Sequence, residues 1–184
     1  MKRLLTLSIL CLLGTGFGFT DAAAKDKQVT ISYNVKRIRI NGSNQIAVWI
    51  ENDSTKLIRT LYASKFTAEG GFRKRPLSLN EWTRKADLEN AKPKDVDAIS
   101  GATQKAGPVT LTWDGKDKNG KAVAKGKYII CMQGNIQDAR MMFAKAEITV
   151  GGNKQEVKAT ITFQPGDAAK EFGAVFDSVV VKYE

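Results

Sequence analysis

The sequence predicts an all-β fold, an antiparallel Ig-like β-sandwich with one short helix in a long inter-strand segment. Three observations carry this. Short runs of apolar and β-branched residues recur from Gln28 to Tyr183. Turn residues such as Asn52-Asp53-Ser54 and Asp117-Lys118-Asn119-Gly120 separate them. One stretch, Phe66 to Pro108, breaks the pattern and carries the sole helix signal.

Gln28 to Val35 alternates, with Val29, Ile31, Tyr33 and Val35 on one face. Ile38 and Ile40 extend the pattern, and Asn41-Gly42 makes a turn. Ile46 to Ile50 and Leu57 to Tyr62 read as the two strands of a hairpin. Inside the interruption, Ser78-Leu79-Asn80-Glu81 fits a capping box, in which the serine oxygen takes a free amide and the glutamate reaches back. Leu79, Trp82 and Ala86 then share one face, and Pro93 is expected to stop a helix running from Leu79 to Glu89. Val109, Leu111 and Trp113 alternate with threonines, as in a half-buried strand. Tyr128 to Met132, Phe143 to Val150, Val157 to Phe163 and Ser178 to Tyr183 complete the set. A single domain over residues 25–184 is expected.

The first residues bear on compartment. Met1-Lys2-Arg3 is positive, Leu4 to Phe19 is apolar, and Ala22-Ala23-Ala24 supplies small residues at a cleavage site. This predicts a signal peptide over residues 1–24, a mature chain starting at Lys25, and a periplasmic or secreted location. Leu10 precedes Cys11, which argues against lipid attachment there. Without the leader Cys131 is the remaining cysteine, so an intramolecular disulfide is not expected. No later apolar run reaches the roughly 18 residues of a membrane span.

The formal charge is +10. In an exported protein this points away from nucleic acid and toward lipid head groups, cell-wall polymers or a phosphorylated small molecule, with solubility as the plain alternative. The chain holds no histidine. Ser-His-Asp and Cys-His catalytic units are thereby excluded, as are histidine-ligated metal sites. An enzyme is not expected, and neither is a metal.

The run from Trp113 to Tyr128, WDGKDKNGKAVAKGKY, is rich in turn residues. Asp114, Asp117 and Asn119 miss the spacing of a calcium loop, and no closing glutamate follows. A tight turn between strands is the expectation. Trp113-Asp-Gly-Lys-Asp, Asn119-Gly120, Val123 and Gly126-Lys-Tyr128 resemble the strand–turn–strand signature of the Ig-like domain in the flagellar hook-capping protein, over Val109 to Met132. That resemblance implies fold rather than function. Cys131, Met132, Met141 and Met142 are soft-metal donors by type but read better as buried filling, since Cys131 and Met132 point to opposite faces of one strand. Arg73-Lys74-Arg75, with Phe72, Arg84 and Lys85, forms a cationic cluster, read as a solvated loop or as a docking site for an acidic partner or flavin phosphate.

An ordered set spans more of the chain: AVWIEND (Ala47 to Asp53), LIRTLY (Leu57 to Tyr62), Trp82, DAISGAT (Asp97 to Thr103) and LTWDGKD (Leu111 to Asp117). From about Val29 onward the chain resembles the exported bacterial family known as domain of unknown function 2271. The resemblance implies association with periplasmic flavin-linked redox proteins. The chain departs from the family's usual acidic, arginine-containing segment after the tyrosine strand, where it has Cys131-Met-Gln-Gly-Asn135.

DAISGAT resembles the motif at which a flavin transferase esterifies FMN phosphate onto a threonine. That resemblance makes Thr103 the acceptor, with Gly101 and Ala102 keeping the loop slim, Ser100 bonding locally and Asp97 placing the motif. Lys105 stands where such motifs carry another hydroxyl. The plain alternative is a Ser/Gly turn leading into the Val109 strand. The sequence therefore predicts a non-enzymatic exported accessory or interaction subunit of a periplasmic flavin-linked redox system, with periplasmic or membrane redox proteins as partners and no cofactor. The alternatives are a covalent FMN carrier modified on Thr103, and a structural or assembly module.

Overall fold

A computed structural model of the protein describes residues 28–37, 44–135, 140–164, 166 and 173–184. The expected leader over 1–24 with Cys11, the mature start at Lys25, the extension through Ile38 and Ile40, and the Asn41-Gly42 turn lie outside the described residues.

Two sheets face each other, as expected. One has the order β5-β1-β10-β8 and the other β4-β3-β2-β6-β7-β9, where β1 is Val29–Val35, β2 Gln45–Asn52, β3 Leu57–Ser64, β4 Ser100–Gly101, β5 Gly107–Trp113, β6 Gly126–Asn135, β7 Met141–Val150, β8 Gln155–Lys158, β9 Thr160–Gln164 and β10 Phe176–Tyr183. All pairings are antiparallel except that of β4 with β3. Val29, Ile31, Tyr33 and Val35 of β1 all point into the core, as alternation requires. They meet Ile46, Val48, Ile50, Ile130, Met132, Ala144 and Ile148 of the other sheet.

The run Val157–Phe163 is not one strand. β8 pairs with β10 in the smaller sheet and β9 with β7 in the larger. The chain changes sheets at Ala159, whose N–H donates to Val179 O at 3.0 Å. Trp113 and Tyr128 are both buried, but they lie in opposite sheets rather than in paired strands. Their rings touch across the core.

β2 and β6 are buried on both faces, so the larger sheet has a second apolar side. Ala47, Trp49, Ala63, Cys131, Leu79, Trp82 and Leu88 form a separate cluster there. The segment between β3 and β5 covers it. This segment holds the expected short helix, α2 (Asn80–Lys85), and in addition α1 (Lys65–Ala68), a 3-10 turn (Gly71–Arg73) and α3 (Pro93–Asp97). The result is a third layer on one face of the sandwich.

The capping box does not form. Ser78 Oγ lies 3.0 Å from Thr67 Oγ1, and no side chain of the segment itself caps α2. Two residues of β6 cap it from below. Asn135 Oδ1 accepts the Leu79 N–H at 2.9 Å, and Gln133 Oε1 accepts the Trp82 N–H at 3.2 Å. Leu79, fully buried, takes a left-handed backbone (φ 50°) under these constraints. Pro93 does not end the expected helix, because α2 already closes at Lys85 rather than Glu89. It opens α3, where its missing N–H costs nothing at the first turn.

Candidate functional site

Asp97 closes α3 and is exposed. After Ala98 and Ile99 the chain enters β4, a two-residue parallel strand beside the end of β3, with Ala63 opposite Ser100 and Ser64 opposite Gly101. Ser100 and Gly101 are therefore half-buried in a sheet edge rather than in an exposed loop. Beyond them Ala102 and Thr103 are exposed, and the chain crosses to β5 at the edge of the opposite sheet. The motif residues thus divide: Ser100 and Gly101 are structural, and Ala102 and Thr103 are presented to solvent.

Two tyrosines hold this crossing. Tyr62 Oη donates to Ala102 O at 2.8 Å, and Tyr33 Oη donates to Gln104 Oε1 at 2.8 Å. These bonds flank Thr103 on both sides. Burial pushes the Tyr33 phenol well above its ordinary range, with the Gln104 bond pulling the other way. Burial also raises Tyr62. Both therefore remain donors through ordinary pH. Gly101 fits because it has no side chain: a Cβ there would sit 2.5 Å from Tyr62 Cε2. Ser100 Oγ lies 3.4 Å from Glu69 Oε1 on the turn after α1. No hydrogen bond joins Asp97 to Thr103, and the Thr103 hydroxyl bonds to none of the described residues.

Sequence reasoning missed Tyr33, Tyr62, Gln104 and Glu69. A bulge between Val48 and Trp49 shifts the partner strand's register, so alternation along LIRTLY does not say which way Tyr62 faces.

The other sequence candidates resolve into structure. Asp117 Oδ1 accepts the N–H groups of Asn119 and Lys121, both at 2.9 Å, and these bonds lower its pKa. Asp114 Oδ1 takes the Lys116 N–H and Arg59. Both acids build the turn. Among the described residues no cluster of metal-binding side chains occurs. Cys131 faces the outer cluster and Met132 the inner core, as expected. Burial pushes the Cys131 thiol far up, and Glu51 adds to the effect. Lys85 is not part of the cationic cluster, because it is bound to Glu51 at 2.9 Å. The sequence DAISGAT and the strands that carry it fall within residues 26–165, which match a family model described as a predicted periplasmic protein, domain of unknown function 2271.

The chain belongs to this family. No curated protein and no solved structure matches it. The family description agrees with the periplasmic location read from the sequence. Among the described residues no helix is long and apolar enough to cross a membrane. Members of domain of unknown function 2271 share the matched span with this chain, and in this chain that span holds the first nine strands, the helical layer and the Thr103 crossing.

Proposed function

We propose that the protein is a non-enzymatic accessory subunit of a periplasmic flavin-linked redox system and that it engages its partner through the crossing from Ala102 to Ala106. The supporting observation is the pair of tyrosine bonds on either side of Thr103. They hold an exposed, slim segment in one shape, and a preordered loop binds without the entropy loss of ordering it. A photo-crosslinker at Lys105 tests this in the native envelope. Adducts that carry flavin support the reading, and adducts formed only with flavin-free proteins refute it.

A second reading is covalent FMN on Thr103, with Asp97, Ser100, Gly101 and Ala102 framing the acceptor. The exposed, unbonded Thr103 hydroxyl favours it over the plain turn, which needs that hydroxyl to hold the backbone. In the reaction, Oγ1 of Thr103 attacks the flavin-side phosphorus of a flavin dinucleotide. The phosphoanhydride bond breaks, AMP leaves, and the hydroxyl proton passes to a base of the transferase. The intact mass of protein made in a periplasm with and without an active transferase decides it. One added FMN, lost in Thr103→Val, is the expected result. An unchanged mass beside a modified control substrate refutes it.

A further inference from the structure

The segment from Lys65 to Leu79 carries the two large hydrophobic side chains that stand exposed among the described residues, Phe66 at 39% and Leu77 at 43%. They belong to one patch. Thr67, next to Phe66, meets Ser78, next to Leu77, at 3.0 Å. Between them, leading up to Leu77, run four consecutive exposed residues, Arg73-Lys74-Arg75-Pro76. The Arg75 guanidinium lies over the Phe66 ring at 4.9 Å and that of Arg73 over Phe72 at 4.7 Å. Neither arginine, nor Lys74, pairs with a carboxylate among the described residues. The one acid of the segment, Glu69, is taken by Lys65 at 3.6 Å.

The patch is held in shape. A Cβ on Gly71 would sit 2.6 Å from the Phe66 ring, so the ring lies against bare backbone. Asn135 Nδ2 donates to Leu77 O at 3.2 Å, which ties the other end to β6.

We propose that this patch docks the protein on the surface of an anionic phospholipid bilayer. Three unpaired cations match lipid phosphates, and each cation near such a surface strengthens binding about fivefold. Phe66 and Leu77 supply the apolar contact that seats in the interface, while the arginine stems lie along it. An acidic protein partner is disfavoured by size, since a stable protein interface needs roughly 800 Å² on each side and this patch offers a few side chains. The surface is independent of the Thr103 reading.

Co-sedimentation of the periplasmic protein with vesicles tests the proposal. Binding is expected to vesicles of phosphatidylglycerol mixed with phosphatidylethanolamine and to be weak on pure phosphatidylcholine. Added salt reduces it, since the screening length falls to about 10 Å at 0.1 M. The triple variant Arg73→Gln, Lys74→Gln, Arg75→Gln, all at exposed positions, lowers partitioning about a hundredfold while the thermal midpoint stays put. Leu77→Ser weakens binding that survives in high salt. Equal binding to both vesicle types, or undiminished binding by the folded triple variant, overturns the proposal. So does retention on soluble polyglutamate with no binding to vesicles, which assigns the patch to an acidic protein instead.

Discussion

Nζ of Lys85 lies 2.9 Å from Oε1 of Glu51, and the Glu51 side chain is only 2% exposed. The same oxygen accepts the indole N–H of Trp49 at 2.6 Å, and Lys85 also donates to Thr55 O at 2.8 Å. The pair joins α2 to the outer face of β2. Lys85→Met strands a buried carboxylate, so chemical denaturation should show a loss of about 3–5 kcal/mol. Glu51→Gln keeps the acceptor for Trp49 and should lose less. Adding it to Lys85→Met should recover part of the loss, because no buried charge is left unpaired.

The rings of Trp113 and Tyr128 meet edge-on at 5.4 Å between centroids. Trp113 also donates to Lys116 O at 2.7 Å, which fastens the turn beneath it. Trp113→Ala should cost about 3–5 kcal/mol, as for other buried large aromatics. A loss under about 1 kcal/mol in denaturant unfolding contradicts its place in the core.

At the Thr103 crossing, two substitutions should part company. Gly101→Ala drives a methyl into the Tyr62 ring and should cost about 1–3 kcal/mol. In a Tyr62→Ala background the same change should be nearly silent, which a double-mutant cycle reads directly. Thr103→Val, at an exposed and unbonded hydroxyl, should leave stability within about 0.5 kcal/mol of the parent.

Gln133→Ala and Asn135→Ala each remove a cap from α2. The expected cost is about 1–3 kcal/mol, because buried N–H groups of Trp82 and Leu79 lose their acceptors. Hydrogen exchange at those two amides should quicken before that of the core strands. Uniform quickening across the sheet contradicts a local role.

That pair also marks where the sequence stops being readable. The strands were legible because their signals are local: β1 and β5 alternate, while β2 and β6 are short apolar runs in which Val, Ile, Tyr and Trp recur. The caps of α2 were not, because Asn135 reaches Leu79 across 56 positions of chain. The sheet change at Ala159 leaves no mark in composition, and β4 is too short for a period. At the site, exposure of Thr103 followed from its small, polar surroundings. The tyrosines beside it depend on strand register and on a crossing between sheets, which only the fold supplies.

Alkaline stability should decline in steps. Burial raises both Cys131 and Tyr33 in the fold. Unfolded, a thiol ionises near pH 8.5 and a phenol near about 10. The folded forms keep their protons, so this stability is fully present below those values and falls as pH rises above them. Each group adds a slope of up to about 1.4 kcal/mol per pH unit. Cys131→Ala should move the onset from about pH 8.5 to about 10 in denaturant titrations at stepped pH. An unshifted onset contradicts the burial of the thiol.

The helical layer leaves the sheet at the end of β3 and comes back beside it, where Ala63 donates to Ile99 O at 2.9 Å and faces Ser100. Departure and return share one edge. In evolutionary terms this is a closed insertion: whatever lies between can be lengthened, shortened or exchanged without reordering a strand. The same two ends also make a ready pair of splice points for grafting the layer onto another sandwich of this sheet order.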